Sequence, residues 1–471
     1  MLKRLFISGY NISALLAILL CATAPENDYY FLPFLPMGAL GTANILIFPA
    51  LKKCNSITVL IFLLVVMARY VLLPVCLSLW PVYQFSYYYP LNRMYLSAGC
   101  LFLLYELVIV SVFIAFFIRR MKPPEIQQKQ REKLGPTEGY GIYMLFVLFA
   151  LGIWFLFPQA RENLNFVKIA ARTGERFGGQ EFSTLEYFLR QIIITGLGCM
   201  MITGTLMLKR KRESFLGLNL LLAIAFINIA TIVGEQRSTQ VYSAFACIFL
   251  LCKTFPEHRR YIFITLTGSA LGILTLLSLY KHLYVFQMDS YGSAIAETGF
   301  NGYELTKNLE LYLLGPLTIA SVFDFAVQSE GVFTIQRFLL DLLRPFIGIS
   351  FLVKDSSLDT TTILYNLFVT DNRASNGFLL PISGHCFLYF GYLLAPGLIC
   401  ICYYLAFQLE RILINTRSVF IGFWGSYFFI RLASCMVASN IYTVITSFSL
   451  VLIFTSGIYC AQRVYDRCKL L

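Results

Sequence analysis

Long apolar runs alternate along this chain with short polar connectors. Runs of roughly 17–25 residues, enough to cross the hydrocarbon core of a bilayer as an α-helix, fall at 5–23, 30–50, 56–80, 96–118, 140–157, 188–208, 214–233, 239–255, 261–280, 380–408, 418–437 and 441–461. The pattern predicts an all-α polytopic membrane protein with about twelve transmembrane helices. The runs are continuously apolar and lack the alternation of an outer-membrane barrel strand. Pro33 and Pro36 in the second run, and Pro381 and Pro396 in the tenth, predict bends. One segment stands apart. Residues 281–378 mix apolar patches with Asp324, Arg337, Asp341, Arg344, Lys354, Asp355, Asp359, Asp371 and Arg373, and are expected to form a large helical loop between spans nine and ten. The chain then divides into spans one to nine (1–280), this loop (281–378) and spans ten to twelve (379–471).

Composition agrees with that division. Of 471 residues, 58% are hydrophobic and 13% charged, and the mean hydropathy is +0.71, far too apolar for a soluble chain of this size. The formal charge of +12 does not call for nucleic acid, because most Lys and Arg lie between apolar runs. If Lys3 and Arg4 are cytoplasmic, the connectors on that side carry Lys52/Lys53, the basic stretch 119–133, Lys209 to Arg212, Lys253/Arg259/Arg260, Arg411/Arg417 and Arg463/Arg467/Lys469. Every strongly basic short connector then shares one side, as the positive-inside rule requires. Both termini are expected in the cytoplasm, with 281–378 outside. The N-terminus up to Ala22-Thr23-Ala24 resembles a cleavable signal, but Pro25 after the would-be cut disfavours cleavage, so the first run is expected to stay as a span. The thirteen Cys lack zinc spacing and read as small packing residues.

Candidate chemistry gathers in the outer segments. Residues 331–344 (GVFTIQRFLLDLLR) predict an amphipathic helix with Arg337, Asp341 and Arg344 on one face, ending at Pro345. It can lie at the membrane interface with its arginines toward headgroups, or simply carry a solvated charge stripe. The run from Tyr365 and Asn366 through Asp371 and Arg373 to Gly377 enters the tenth span. There Arg373 could grip a phosphate and Asp371 could act as a base, or the segment could be an ordinary capping loop. His385, at the outer end of the tenth span, is costly unless paired, and is either a proton acceptor or a hydrogen-bonded packing residue. The outer connector 158–187 bears Arg161, Lys168, Arg172 and Arg176 against the positive-inside trend, and Arg237 closes the turn 234–238. Apart from Arg69 and Arg431, mid-span positions read as largely apolar. No Walker A, Rossmann or HExxH motif is present, so no cofactor is called for and the energy for a reaction would come from an activated substrate.

About twelve spans, two arginine-bearing outer loops, the Gly234-to-Arg237 turn, Tyr312-Leu313-Leu314-Gly315-Pro316 and the 365–377 run before a span with Gly384, Gly391 and Gly397 together resemble the Wzy-type oligosaccharide repeat-unit polymerases of O-antigen and capsule assembly. The resemblance implies a GT-C-like, metal-independent glycosyltransferase at the outer face of the bacterial cytoplasmic membrane. It would join undecaprenyl-pyrophosphate-linked oligosaccharides amid membrane lipids, with a chain-length regulator as an accompanying protein and no nucleic acid. Pyrophosphate-binding arginines carry over to Arg237, Arg344 and Arg373, with Arg337, Arg172 and Arg176 beside them and Tyr365 and Asn366 in the substrate loop. His385 and Asp371 compete for the role of base. Three alternatives remain on the sequence: an O-antigen ligase, a GT-C enzyme using a polyprenyl-phosphate sugar, and a flippase for lipid-linked oligosaccharide.

Overall fold

The computed structural model describes the chain except residues 1, 25–27, 54–55, 85–90, 121–137, 159, 161–163, 166–183, 211–213, 234–237, 286–300, 347, 354–357, 372–377, 438–439 and 469–471. Among the described residues all regular elements are helices, apart from a two-residue antiparallel pairing of Leu164–Asn165 with Ile232–Val233. Each apolar run of the sequence is helical. Among the described residues, seven helices are long and apolar enough to cross a membrane: Lys3–Thr23, Phe34–Leu51, Ile57–Leu79, Met94–Arg120, Phe188–Arg210, Gly397–Asn415 and Ile441–Cys468. The bent pair Gly302–Leu313 and Pro316–Gln328 passes the same test jointly and would make eight. The chain is a multi-pass helical membrane protein.

Helix length among the described residues thus supports seven or eight of the twelve expected spans. Gly141–Leu156 and Phe215–Ala230 have 16 residues each and Val419–Ala433 has 15. At about 1.5 Å per residue they fall short of the ~30 Å hydrocarbon core. The tenth run is two helices, Ile382–Leu394 and Gly397–Asn415. Gly391 leaves helical geometry at φ 71°, and Pro396 lacks the N–H that would continue the first helix. The prolines of the second run start a helix rather than bend one: Pro33 is the N-cap of Phe34–Thr42, and Pro36 lies in its first turn, where N–H groups have no intrahelical partner. Helical geometry widens instead at Ala43–Ile47 and Met67–Leu72, two π segments that each end two residues before a proline, Pro49 and Pro74. Each proline leaves the carbonyl four residues back without its usual donor.

The chain forms two compact units. The first comprises Met1–Lys129, Asn301–Glu410 and Leu432–Ser447. Residues 301–378 of the expected loop fall within this unit. Every residue of Pro316–Gln328 from 316 to 325 is buried, with Pro316 over Gly99 and Phe323 against Phe102 of Met94–Arg120. Charged side chains close helix ends in this unit. Glu410 accepts hydrogen bonds from Ser56 Oγ and Thr58 Oγ1, both at 2.6 Å, and from Thr58 N, which places a carboxylate at the N-terminus of Ile57–Leu79.

The second unit comprises Gln130–Phe300, Arg411–Arg431 and Phe448–Leu471. Its helices Gly141–Leu156 and Thr184–Arg210 approach closely at Gly196, where a Cβ would sit 2.3 Å from that of Ala150. Glu138 accepts from Val419 N and Tyr143 Oη, both at 2.8 Å, and Lys253 Nζ donates to the Thr416 carbonyl at 2.9 Å. Arg431 lies over the Tyr242 ring, 5.3 Å from its centre. The strand pairing joins the connector that carries Arg172 and Arg176 to the one that carries Arg237.

Candidate functional site

Two buried ionic clusters in the first unit hold most of its mid-membrane and loop chemistry. The deeper one centres on Arg69, in the π segment Met67–Leu72 and only 1% exposed. Its guanidinium pairs with Glu106 of Met94–Arg120 and donates to the Leu314 carbonyl through Nε (3.2 Å) and Nη2 (2.8 Å). Tyr70 Oη donates to the same Glu106 oxygen at 2.8 Å. Leu314, at φ 55°, and Gly315 form the break between Gly302–Leu313 and Pro316–Gln328. Glu310 turns back to accept from Leu317 N across that break. Gly315 is required there, since a Cβ would meet Glu310 Oε2 at 1.8 Å. The cluster is a clamp on a turn: a non-helical carbonyl inside an apolar protein needs a donor, and Arg69 supplies it. Glu106 escaped the sequence reading, although a lone carboxylate in an apolar run opposite a lone arginine is the signal for such a pair.

The second cluster brings together residues from three elements of 335–394. Ile335–Leu343 starts at Thr334, whose side chain accepts from Arg337 N, and ends before Pro345 as expected. Of its polar stripe, Arg337 and Arg344 are half-buried and Asp341 is buried. Asp341 is 4% exposed and turns inward, its Oδ1 accepting from Thr361 N at 2.8 Å and its Oδ2 from Tyr389 Oη at 2.8 Å. Thr361 is the first residue of Thr361–Thr370, so the carboxylate faces the helix end that attracts negative charge. Since the Tyr389 hydroxyl donates to Asp341, the Thr361 hydroxyl must donate to Tyr389 across their 2.5 Å contact. His385, one turn before Tyr389 and 2% exposed, presents Nε2 at 3.4 Å from Asp341 Oδ2 without hydrogen-bond geometry. Phe338 and Tyr389 flank the imidazole at ring separations of 6.1 and 5.2 Å. Ser383 Oγ and Arg337 Nε are also buried without a hydrogen-bond partner, while Arg337 Nη1 donates to the Val332 carbonyl at 2.7 Å. The cluster is a buried His–Asp contact in which the imidazole Nε2 makes no hydrogen bond.

The other residues named from sequence fall elsewhere. Asp371 is exposed at the C-terminal cap of Thr361–Thr370, in the left-handed conformation at φ 52°. It sits a ten-residue helix, about 15 Å, from Thr361, so the carboxylate beside His385 is Asp341 instead. Asn366 is engaged within the protein: its Nδ2 donates to the Phe378 carbonyl and its Oδ1 accepts from Phe378 N, both at 3.1 Å, closing the loop that carries Arg373. Tyr365 is buried with its hydroxyl on Ser321 at 2.6 Å, in a core with Val322, Phe325, Val369 and Leu380. Arg344 is half-buried and donates to the Leu358 carbonyl at 2.9 Å. Arg172, Arg176, Arg237 and Arg373 lie outside the described residues.

No protein-family model, curated protein or solved structure matches the chain. The class is thus set by the helices, as a multi-pass membrane protein, and the particular activity has to be argued from the site.

Proposed function

We propose that this protein is a membrane glycosyltransferase of the Wzy type, a GT-C-like polymerase of undecaprenyl-pyrophosphate-linked oligosaccharide repeat units at the outer face of a bacterial cytoplasmic membrane. The observation that carries the reading is the Asp341–His385 pair, which links an amphipathic helix bearing Arg337 and Arg344 to the start of a broken membrane helix. In this reaction an incoming sugar hydroxyl attacks the anomeric carbon of the growing chain. The bond to its pyrophosphate breaks, and the hydroxyl proton must go to a base. His385 is that base, with Asp341 orienting the imidazole and stabilising its charge. The geometry tightens when substrate is bound. Arg337, Arg344 and Arg373 receive the departing pyrophosphate, whose charge bidentate guanidinium groups match. Asp371 is left without this role.

The flippase alternative needs charges lining a cavity across the spans. Arg69 and Glu106 are instead buried against each other and a backbone carbonyl, so the mid-membrane charge supports architecture. The test is deletion of the gene in its own host, with lipid-linked glycans and surface polysaccharide resolved on gels. Carriers holding one repeat unit, with the long-chain ladder lost, are expected. Polymer that is made but not joined to its final anchor would reassign the protein as a ligase, and single units trapped on the cytoplasmic side would reassign it as a flippase.

A further inference from the structure

We infer that residues 302–328 are a re-entrant hairpin, entering and leaving the membrane on one side, with Arg69 as the residue that holds its turn. The two helices together are as apolar as a span, yet they are bent by 61° at the break. Their contacts place both ends against one connector. Gly302 lies on the Trp80 ring, where a Cβ would be 2.1 Å from the indole. Thr306 Oγ1 donates to the Cys76 carbonyl at 3.4 Å, Gly315 packs on Leu73, and the Leu314 carbonyl meets Arg69. As the chain advances from 302 to 314, its neighbour therefore recedes from 80 to 69. The second helix then turns back. Pro316 touches Gly99, Phe323 packs against both Phe102 and Tyr95, and Asp324 Oδ2 accepts from Asn92 N at 3.4 Å.

Trp80 and Asn92 flank a single connector, so residues 302 and 324 lie at the same membrane side. The crossing comes later, through Ile382–Leu394 and Gly397–Asn415, which deliver Glu410 to Ser56 and Thr58 at the opposite end of Ile57–Leu79. The hairpin also supplies what an irregular turn inside a membrane requires, a donor for the freed carbonyl and an acceptor for the freed N–H, from Arg69 and Glu310. Its ascending helix carries the site: Val322 packs on Gly384, next to His385, and Ser321 bonds Tyr365. This inference stands independently of the proposed activity.

The test places short protease sites in the full chain, one per variant, after Glu330, within 85–90 and within 121–137, in sealed vesicles of both orientations. Cleavage after Glu330 from the same side as 85–90, and opposite to 121–137, is the expected result. Cleavage after Glu330 from the side of 121–137 would make 302–328 a span and overturn the inference. If the insertion prevents accumulation, Glu330→Cys labelled with a membrane-impermeant maleimide and read by peptide mass gives the same two outcomes, since Glu330 is exposed.

Discussion

The Arg69 and Asp341 clusters are both buried ionic groups in one unit, yet they dispose of their polar atoms differently. Arg69 directs its donors to Glu106, to Tyr70 and to one backbone carbonyl, and what it holds is a turn of the chain, with Glu106 Oε2 left without a hydrogen bond. Asp341 is equally satisfied, by Thr361 and Tyr389, but the imidazole beside it is not: His385 Nε2, Ser383 Oγ and Arg337 Nε make no hydrogen bond. A buried polar atom without a partner costs about 1–3 kcal/mol. Such a cost is tolerated most readily where a ligand removes it. The difference lies in which atoms are left over: second oxygens of carboxylates that are already engaged in the first cluster, an imidazole nitrogen and a hydroxyl in the second.

Breaking the first cluster is expected to have the largest effect on stability. Arg69→Ala leaves Glu106 as an unpaired buried carboxylate and orphans the Leu314 carbonyl, at a cost of about 3–5 kcal/mol; thermal unfolding of detergent-purified protein measures it. A double-mutant cycle with Glu106→Gln sharpens the point, because the losses should fall well short of additive for a direct pair. Additive losses would mean that the pair is not what holds the turn.

The second cluster should respond in activity as well as in folding. Asp341→Asn keeps the shape and removes the charge that orients and stabilises the imidazole, so the polymerisation rate falls about 10²-fold or more, within the range for general acid–base groups. The amide NH2 group must face Thr361 N or Tyr389 Oη, so stability falls by about 1–3 kcal/mol as well, and the rate is read per folded protein, quantified by immunoblot. Next in size is Asn366→Ala, which removes both bonds to Phe378 and costs about 1–3 kcal/mol by leaving those backbone groups unmatched. Tyr389→Phe deletes one hydrogen bond to Asp341 and should cost about 1 kcal/mol in stability, with a smaller loss of rate than Asp341→Asn.

Much of this was legible in the chain because the bilayer imposes a simple rule, apolar runs becoming helices. His385 was legible for a related reason, a titratable side chain at the edge of such a run. Its partner was not. Asp341 is 44 positions earlier and looked like part of a solvated stripe, whereas its inward turn is set by tertiary packing against Thr361–Thr370. Asp371, read as a competing base from its polar run before the tenth span, is separated from the cluster by a ten-residue helix. Glu106 was readable and was passed over within a strongly apolar run. The count of spans was less legible, because some apolar runs gave helices of 15 or 16 residues and run length does not fix where a helix starts and stops.

The most direct test of the central claim is His385→Ala at native expression level in the host. Membranes would be assayed for protein by immunoblot and for lipid-linked and surface glycan on gels. The account predicts wild-type protein abundance with single repeat units on the carrier and no long-chain ladder. An undiminished ladder at the same abundance would contradict it, and His385 would then be a packing residue in a site that lies elsewhere.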